Sequence, residues 1–421
     1  MTAGEGSKRE IEFGWFLPTA GDGAHVGVEP ERPATLDYLT EVAQAAETAG
    51  FEFVLIPTGG ACLDAWVVGS AVMSRTKTLR PLVAVRPGLT APVLSARMGA
   101  ALDQLSGGRA MINVVTGSSV QDLEELGDPL ARSHDERYER ADEYLDVMKR
   151  AWANGDKPQA SEFAAVSGAN GAAPAAAETD AGTKDIDASA KKQAVPSSSE
   201  PFRGKHYTFE RASGSPRTVQ NPHPPFYLGG SSEGAKRVAI RHADTFLMWG
   251  EPHAWIEEQI AEIEELRKAY EQETGAPREL RYGLRAQVLV RDTEEEAWAA
   301  AREIISKVSP EAIERAEKEF AATDATNQRR QNELRELSKA EQFVVGPNLW
   351  TGLSVVRSGG AILIVGTADQ VSQRLIEYAE LGVSTFILSG YPHLEEAEIF
   401  GKEALPLFKQ KWADIQKEVV R

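Results

Sequence analysis

Short apolar, β-branched runs alternate along this chain with stretches whose apolar positions recur at helical spacing. Residues 11–17 read as a first strand and 34–48 as an amphipathic helix; 53–56 and 63–73 repeat the pair. A third strand at 80–85 leads to a helix that starts near Pro92 and ends by Gly107-Gly108, and a fourth strand spans 110–115. A long helix at 134–152 carries many charges on one face. Later strands fall at 226–228, 245–249, 281–291 and 385–388. The strands lack polar alternation, as expected when both faces are covered by helices. Repeated strand–helix units of this kind predict a parallel α/β sheet, and eight of them close into a (β/α)₈ TIM barrel. An open doubly wound sheet is the alternative, but no Gly-x-Gly-x-x-Gly follows the first strand.

Two segments interrupt the pattern. Residues 156–200 are rich in Ala, Ser, Gly, Lys and Asp, with Phe163 the only aromatic and no Leu. Such a stretch cannot bury enough apolar surface to offset its ordering entropy, so it reads as a disordered low-complexity insertion. A hairpin-like segment, 202–209, resumes the fold after it. Residues 309–361 hold a charged helix (311–320), a second polar stretch, and paired glycines Gly359-Gly360 after a lone Arg357. This long connection reads as an active-site lid, with a fixed helical hairpin on the barrel rim as the alternative. Residues 1–10 form a flexible polar N-terminus and 11–421 a single domain.

Composition narrows the function. A formal charge of −17 disfavours a nucleic-acid or anionic-membrane partner. No apolar run is long enough to span a bilayer, and the N-terminal residues lack the apolar core of a secretory signal. One cysteine, Cys62, excludes a disulfide framework and a multi-cysteine zinc site, and no His spacing suggests any other metal. A cytoplasmic enzyme is the expectation.

Candidate chemistry sits at strand ends, where barrels bind their ligands. The turn Gly229-Gly230-Ser231-Ser232 closes a strand and opens a helix, so free amides and hydroxyls there suit a phosphate; a plain Ser N-cap is the structural alternative. Thr116-Gly117-Ser118-Ser119 forms a second hydroxyl-rich turn. Tyr138 suits a planar ligand, and Trp249 is either a pocket wall or core. Arg285 lies in an otherwise apolar strand and needs a counterion, either a bound anion or a strand-end carboxylate. Cys62 opens a helix, a position that can activate a thiol, although a lone cysteine is usually a small buried hydrophobe. The run 389–396 presents Tyr391 and His393 together beyond the last strand.

These segments occur in the order found in the FMNH2-dependent alkanesulfonate monooxygenases of the bacterial luciferase-like group, which the chain resembles over nearly its whole length. The resembling runs include Trp15 to Thr19, Gly21-Asp22-Gly23, 56–66, 134–138, 229–232, 249–252, 347–357 and 389–396. The resemblance implies a luciferase-like (β/α)₈ barrel and a two-component system. A separate NAD(P)H-dependent FMN reductase would supply FMNH2, O2 would be the co-substrate, and an organosulfonate would be cleaved to an aldehyde and sulfite. It also implies a homo-oligomer, dimer or tetramer. By position, Cys62 and Tyr391 lie near the flavin, Arg285 and Arg357 bind the sulfonate, and Trp249, His393 and Gln287 line the substrate pocket. Thr116, Ser118, Tyr138, Gly229, Gly230, Ser231 and Ser232 would hold FMN. Two positions depart from the family pattern: Ala20 and Gln287 stand where histidines are expected, both facing the pocket. A same-fold monooxygenase for a sulfone or other small molecule, a deazaflavin-dependent oxidoreductase, and a non-enzymatic flavin-binding protein are the competing readings.

Overall fold

The computed structural model describes residues 9–117, 119–153, 201–212, 216–359 and 362–419. The expected insertion at 156–200 lies outside the described residues, as do residues 1–8 of the expected flexible N-terminus at 1–10.

Eight parallel strands close a barrel in chain order: Glu12–Phe16, Phe53–Ile56, Arg80–Val85, Met111–Val114, Phe226–Gly229, Thr245–Trp249, Arg281–Val290 and Val383–Ser389. Closure comes from the eighth strand, which pairs with both the first (Glu12 beside Thr385) and the seventh (Leu388 beside Ala286). All eight match expected strands to within a few residues.

Side chains alternate across each strand, so one set fills the barrel and the other meets the helices. In the second strand Phe53 and Leu55 point inward with Leu82, Met111, Tyr227, Leu247 and Ile387, while Val54 and Ile56 join the helix layer. Gly14 leaves room for this filling: a Cβ there would lie 2.1 Å from the Phe53 ring. The N-terminal end of the barrel is closed by a polar plug, in which Glu12 accepts hydrogen bonds from the hydroxyls of Tyr227 and Thr385. The opposite end is left open above Leu55, Leu247 and Ile387.

The seventh strand is ten residues long and does two jobs. Its first half pairs with the sixth strand as far as Trp249 beside Arg285; beyond that point the same edge pairs with Leu363–Gly366, from Gln287 to Val290. The strand at Leu363–Gly366 was not expected, although the run Ile362 to Val365 has the apolar, β-branched character of one. Around it Leu289, Ala297, Ile304, Trp350, Leu353 and Val365 form a second, smaller core.

The expected lid region forms two helices, Pro310–Ala321 and Thr326–Ser338, then an antiparallel pair, Val344–Gly346 with Leu349–Trp350. It is tied down on the barrel rim. Arg330 binds the buried carboxylate of Glu251 through Nη2 at 2.7 Å and Nε at 2.9 Å, and the side-chain amide of Gln331 donates to Gly250 O. On the other flank, buried Arg137 pairs with Asp324 at 2.7 Å. The segment packs as two helices on the rim, and residues 325–327, where the second helix begins, line the barrel mouth. The hairpin after the low-complexity insertion is present as Phe202–Arg203 paired with Thr208–Phe209.

Candidate active site

One cavity opens at the C-terminal ends of the strands, with Leu55, Leu247 and Ile387 as its floor. At one end lie the glycine–serine turn after the fifth strand and Thr116 after the fourth. Gly230 has φ +152°, and a Cβ on it would lie 2.9 Å from the Tyr138 hydroxyl; a Cβ on Gly229 would lie 2.9 Å from Leu247 O. Glycine is required at both places because the turn is pressed between the long helix His134–Ala153 and the neighbouring strand. Ser232 caps the helix Glu233–His242 by accepting from Ala235 N. Ser231 bonds to Gln259 and to Asn327 in the first turn of the helix Thr326–Ser338. The Tyr138 hydroxyl bonds with Thr116 and Ser232, and burial pushes its pKa up, so it stays a neutral phenol.

The other end is electropositive. Arg285 is 6% exposed and lies over the Phe16 ring at 4.7 Å. Its donors reach Ser389 Oγ at 2.7 Å and the carbonyls of Ala286 and Ile387, and no carboxylate among the described residues pairs with it. Burial above all, then repulsion from Arg357, pushes its pKa down to about 9. Arg357 Nε donates to the Tyr391 hydroxyl at 2.5 Å, and Nη1 to the carbonyls of Ser358 and Gly359. It too has no carboxylate partner among the described residues. The alternative of a structural salt bridge at Arg285 is thus not what the fold contains. Trp249 lines the cavity, and a Cβ on Gly359 would lie 3.7 Å from its indole. Tyr391 meets His393 edge-to-face at 5.2 Å.

Thr116, Tyr138, Gly229, Gly230, Ser231, Ser232, Trp249 and Arg285 all line this one cavity. Ser118 lies outside the described residues. Arg357, Tyr391 and His393 form an adjoining cluster joined to it through Phe16 and Arg285. Gln287 is fully buried, away from the cavity lining, and both atoms of its amide lack a partner. Ala20, expected to face the pocket, is exposed. Cys62 is half-buried beside Thr19, outside the cavity lining, and burial pushes its thiol pKa up, the reverse of the activation a helix start can give.

Sequence reading missed Asn113, Asn327 and Asp22 at or near the site, and read His134, which lines the cavity, as a possible helix cap. A lone polar residue in the apolar fourth strand could have flagged Asn113. Asn327 reaches the cavity only through long-range packing. Away from the site, Asp142, Asp146 and His242 bring possible metal-ligand atoms within 4.8 Å of one another. Arg241 already binds both of those carboxylates.

The lining suits a phosphorylated flavin. Hydroxyls and a helix N-terminus gather at one end, apolar side chains form the floor, and no carboxylate lines the cavity among the described residues.

Residues 11–385 match the family model of the luciferase-like monooxygenases. The chain belongs to this family. Solved structures agree on the fold. A riboflavin lyase (RcaE), determined with modified FMN and riboflavin, has a TM-score of 0.71 at 20% identity, covering 96% of this chain and 92% of that one. The EDTA monooxygenase EmoA from Chelativorans sp. BNC1 gives 0.69 at 20% identity, covering 96% and 94%. DmoA from Hyphomicrobium sulfonivorans gives 0.63 at 18%, covering 96% and 89%. Likenesses this distant establish the barrel alone. Members of the luciferase-like family work with reduced FMN or with coenzyme F420, and its two-component flavin monooxygenases take reduced flavin from a reductase. No helix among the described residues is long and apolar enough to cross a membrane.

Proposed function

We propose that this luciferase-like enzyme is the oxygenating component of a two-component system that cleaves the C–S bond of an organosulfonate, giving an aldehyde and sulfite. Its reduced FMN would come from a separate NAD(P)H-dependent reductase. The observation that carries this reading is the pair Arg285 and Arg357, two guanidiniums next to an apolar tryptophan with no carboxylate among the described residues to neutralise either. Two uncompensated cations at a barrel mouth call for an anion, and a sulfonate is a permanent anion with three acceptor oxygens.

Reduced flavin, when bound, would supply the two electrons that divide O2 between the aldehyde oxygen and water. The protein's part is to bind and orient. Thr116, Ser118, Tyr138 and the turn from Gly229 to Ser232 would hold the FMN phosphate end. Arg285 and Arg357 would anchor the sulfonate, with Trp249 against the adjoining carbon chain and Gln287 behind the anion site. Tyr391 accepts from Arg357, which leaves its own O–H free to donate at the reacting oxygen. Cys62, as a neutral thiol beside Thr19, would border the flavin side. The open cavity offers about 180 Å³ between the barrel floor and residues 325–327. Closure of residues 325–327 over a bound flavin would keep water from the reacting oxygen.

The test is sulfite release from purified protein with a flavin reductase, NADH, FMN and air, against alkyl, aryl and sugar sulfonates. Sulfite that needs both O2 and this protein supports the reading; none from any sulfonate, despite binding of reduced FMN, rejects it. A second reading keeps the flavin and changes the substrate to a carboxylate or sulfone. The same two guanidiniums would also pair with the oxygens of a carboxylate or a sulfone. Including carboxylates and sulfones in the panel separates the two.

A further inference from the structure

Asp22 lies in the loop after the first strand, and His393 opens the helix after the eighth. These strands are neighbours, so the two residues meet, and both side chains are buried, 0% and 4% exposed. Four donors converge on the Asp22 carboxylate. The backbone N–H of His393 reaches Oδ2 and its Nδ1 reaches Oδ1, both at 2.8 Å. Gly23 N donates to Oδ1 at 2.8 Å, and the Tyr38 hydroxyl to Oδ2 at 2.5 Å. Burial alone would push this carboxyl up, but the hydrogen bonds from His393 and from the Tyr38 hydroxyl hold it below its ordinary pKa. An ionised carboxylate only accepts, so Nδ1 must carry a proton.

The ring is fixed from other sides as well. Trp15 Nε1 donates to the His393 carbonyl at 3.1 Å. Arg32 joins Glu395 at 2.9 Å to the Tyr38 hydroxyl at 3.3 Å, closing the network on its outer side. That leaves Nε2, which is buried and has no partner among the described residues. The imidazole contacts Phe16 at 5.8 Å and Tyr391 at 5.2 Å, the two rings that carry Arg285 and Arg357.

We propose that Asp22 is a positioning residue that locks His393 in the Nδ1–H tautomer, so that Nε2 stands beside the anion site as a hydrogen-bond acceptor for an O–H or N–H group of the substrate. The substrate's place in this statement rests on the function proposed above; the tautomer rests on the hydrogen bonds alone. A neutral imidazole has one donor and one acceptor nitrogen, and the partner of the first decides what the second can do. None of the residues in this network was assigned a role by sequence except His393.

The experiment is ¹H–¹⁵N spectroscopy of the full-length protein labelled at its seven histidines, with the His393 signals identified by their loss in His393→Gln. The expected wild-type pattern at neutral pH is a protonated Nδ1 and an unprotonated Nε2. In Asp22→Asn the Nε2–H tautomer should appear, and kcat should fall by about 10- to 100-fold with little change in KM, as when a partner that orients a histidine is lost. Tyr38→Phe, which keeps the Asp22–His393 contact, should retain the wild-type pattern. An Nε2–H tautomer in the wild type, or an Asp22→Asn protein with unchanged ring signals, overturns the proposal. The spectrum needs no substrate, so a failed sulfite assay would reject the sulfonate reading and leave this one standing.

Discussion

At the scale of single residues, the site is governed by charge without compensation. Arg285 sits in a nearly dry position with hydroxyl and carbonyl partners only. A buried cation of this kind is costly, and a bound anion recovers the cost. Arg285→Ala and Arg357→Ala should each raise KM for the anionic substrate about 10- to 100-fold, the worth of one charge-assisted hydrogen bond, while reduced-FMN binding changes little; steady-state kinetics beside flavin titration checks this. Arg285→Lys should recover only part of the loss, because an ammonium lacks the planar fork that meets two oxygens at once. Gln287 poses the opposite problem: a fully buried amide with neither atom paired. Replacing it with the similarly shaped Met removes that penalty and should stabilise the fold by about 1 kcal/mol, read from urea unfolding. If the amide is reserved for substrate, the same variant loses turnover. A gain in both stability and turnover would show that Gln287 has no part in binding.

At the scale of elements, the important object is the segment between the seventh and eighth strands. Residues 325–327, the start of its second helix, line the cavity, and two ion pairs flank them, Asp324 with Arg137 and Arg330 with Glu251. The Glu251 side chain is 2% exposed, so Arg330→Ala leaves a buried carboxylate without its cation. Breaking a buried pair in this way costs about 3–5 kcal/mol in the strongest cases, and partial exposure of Arg330 puts the expectation at about 2 kcal/mol. Thermal unfolding measures the loss, and limited proteolysis should show earlier cutting near residues 324–331. The glycine–serine turn is the second element. Gly230→Ala forces a methyl against the Tyr138 hydroxyl and the Ala235 side chain, so FMN affinity should fall by at least about tenfold while the barrel still folds.

At the scale of the whole molecule, the barrel is complete without residues 156–200: the helix ending at Ala153 and the pair opening at Phe202 belong to the same strand-to-strand connection. Replacing 156–198 with a short Gly/Ser linker should leave the melting temperature and turnover unchanged, and a loss of either would give the insertion a role. The eight strands and the helices between them were legible in the sequence because burial on both faces forces continuous apolar runs, whatever the neighbours are. The glycine–serine turn, Arg285 and the Tyr391–His393 pair were legible for a related reason: polar groups at the ends of apolar runs stand out locally. The sequence could not show which polar groups meet. Only closure of the barrel put the first strand beside the eighth and so joined Asp22 to His393 across 371 residues. Only packing of the rim helices brought Asn327 to Ser231 and Arg330 to Glu251. Periodicity is a property of neighbouring residues, whereas pairing of charges and hydrogen bonds depends on distances that the folded chain alone defines. The sequence by itself therefore determined the barrel and which polar groups stand at its strand ends; the tertiary structure decided that two arginines there have no carboxylate partner among the described residues and that one histidine is held in place.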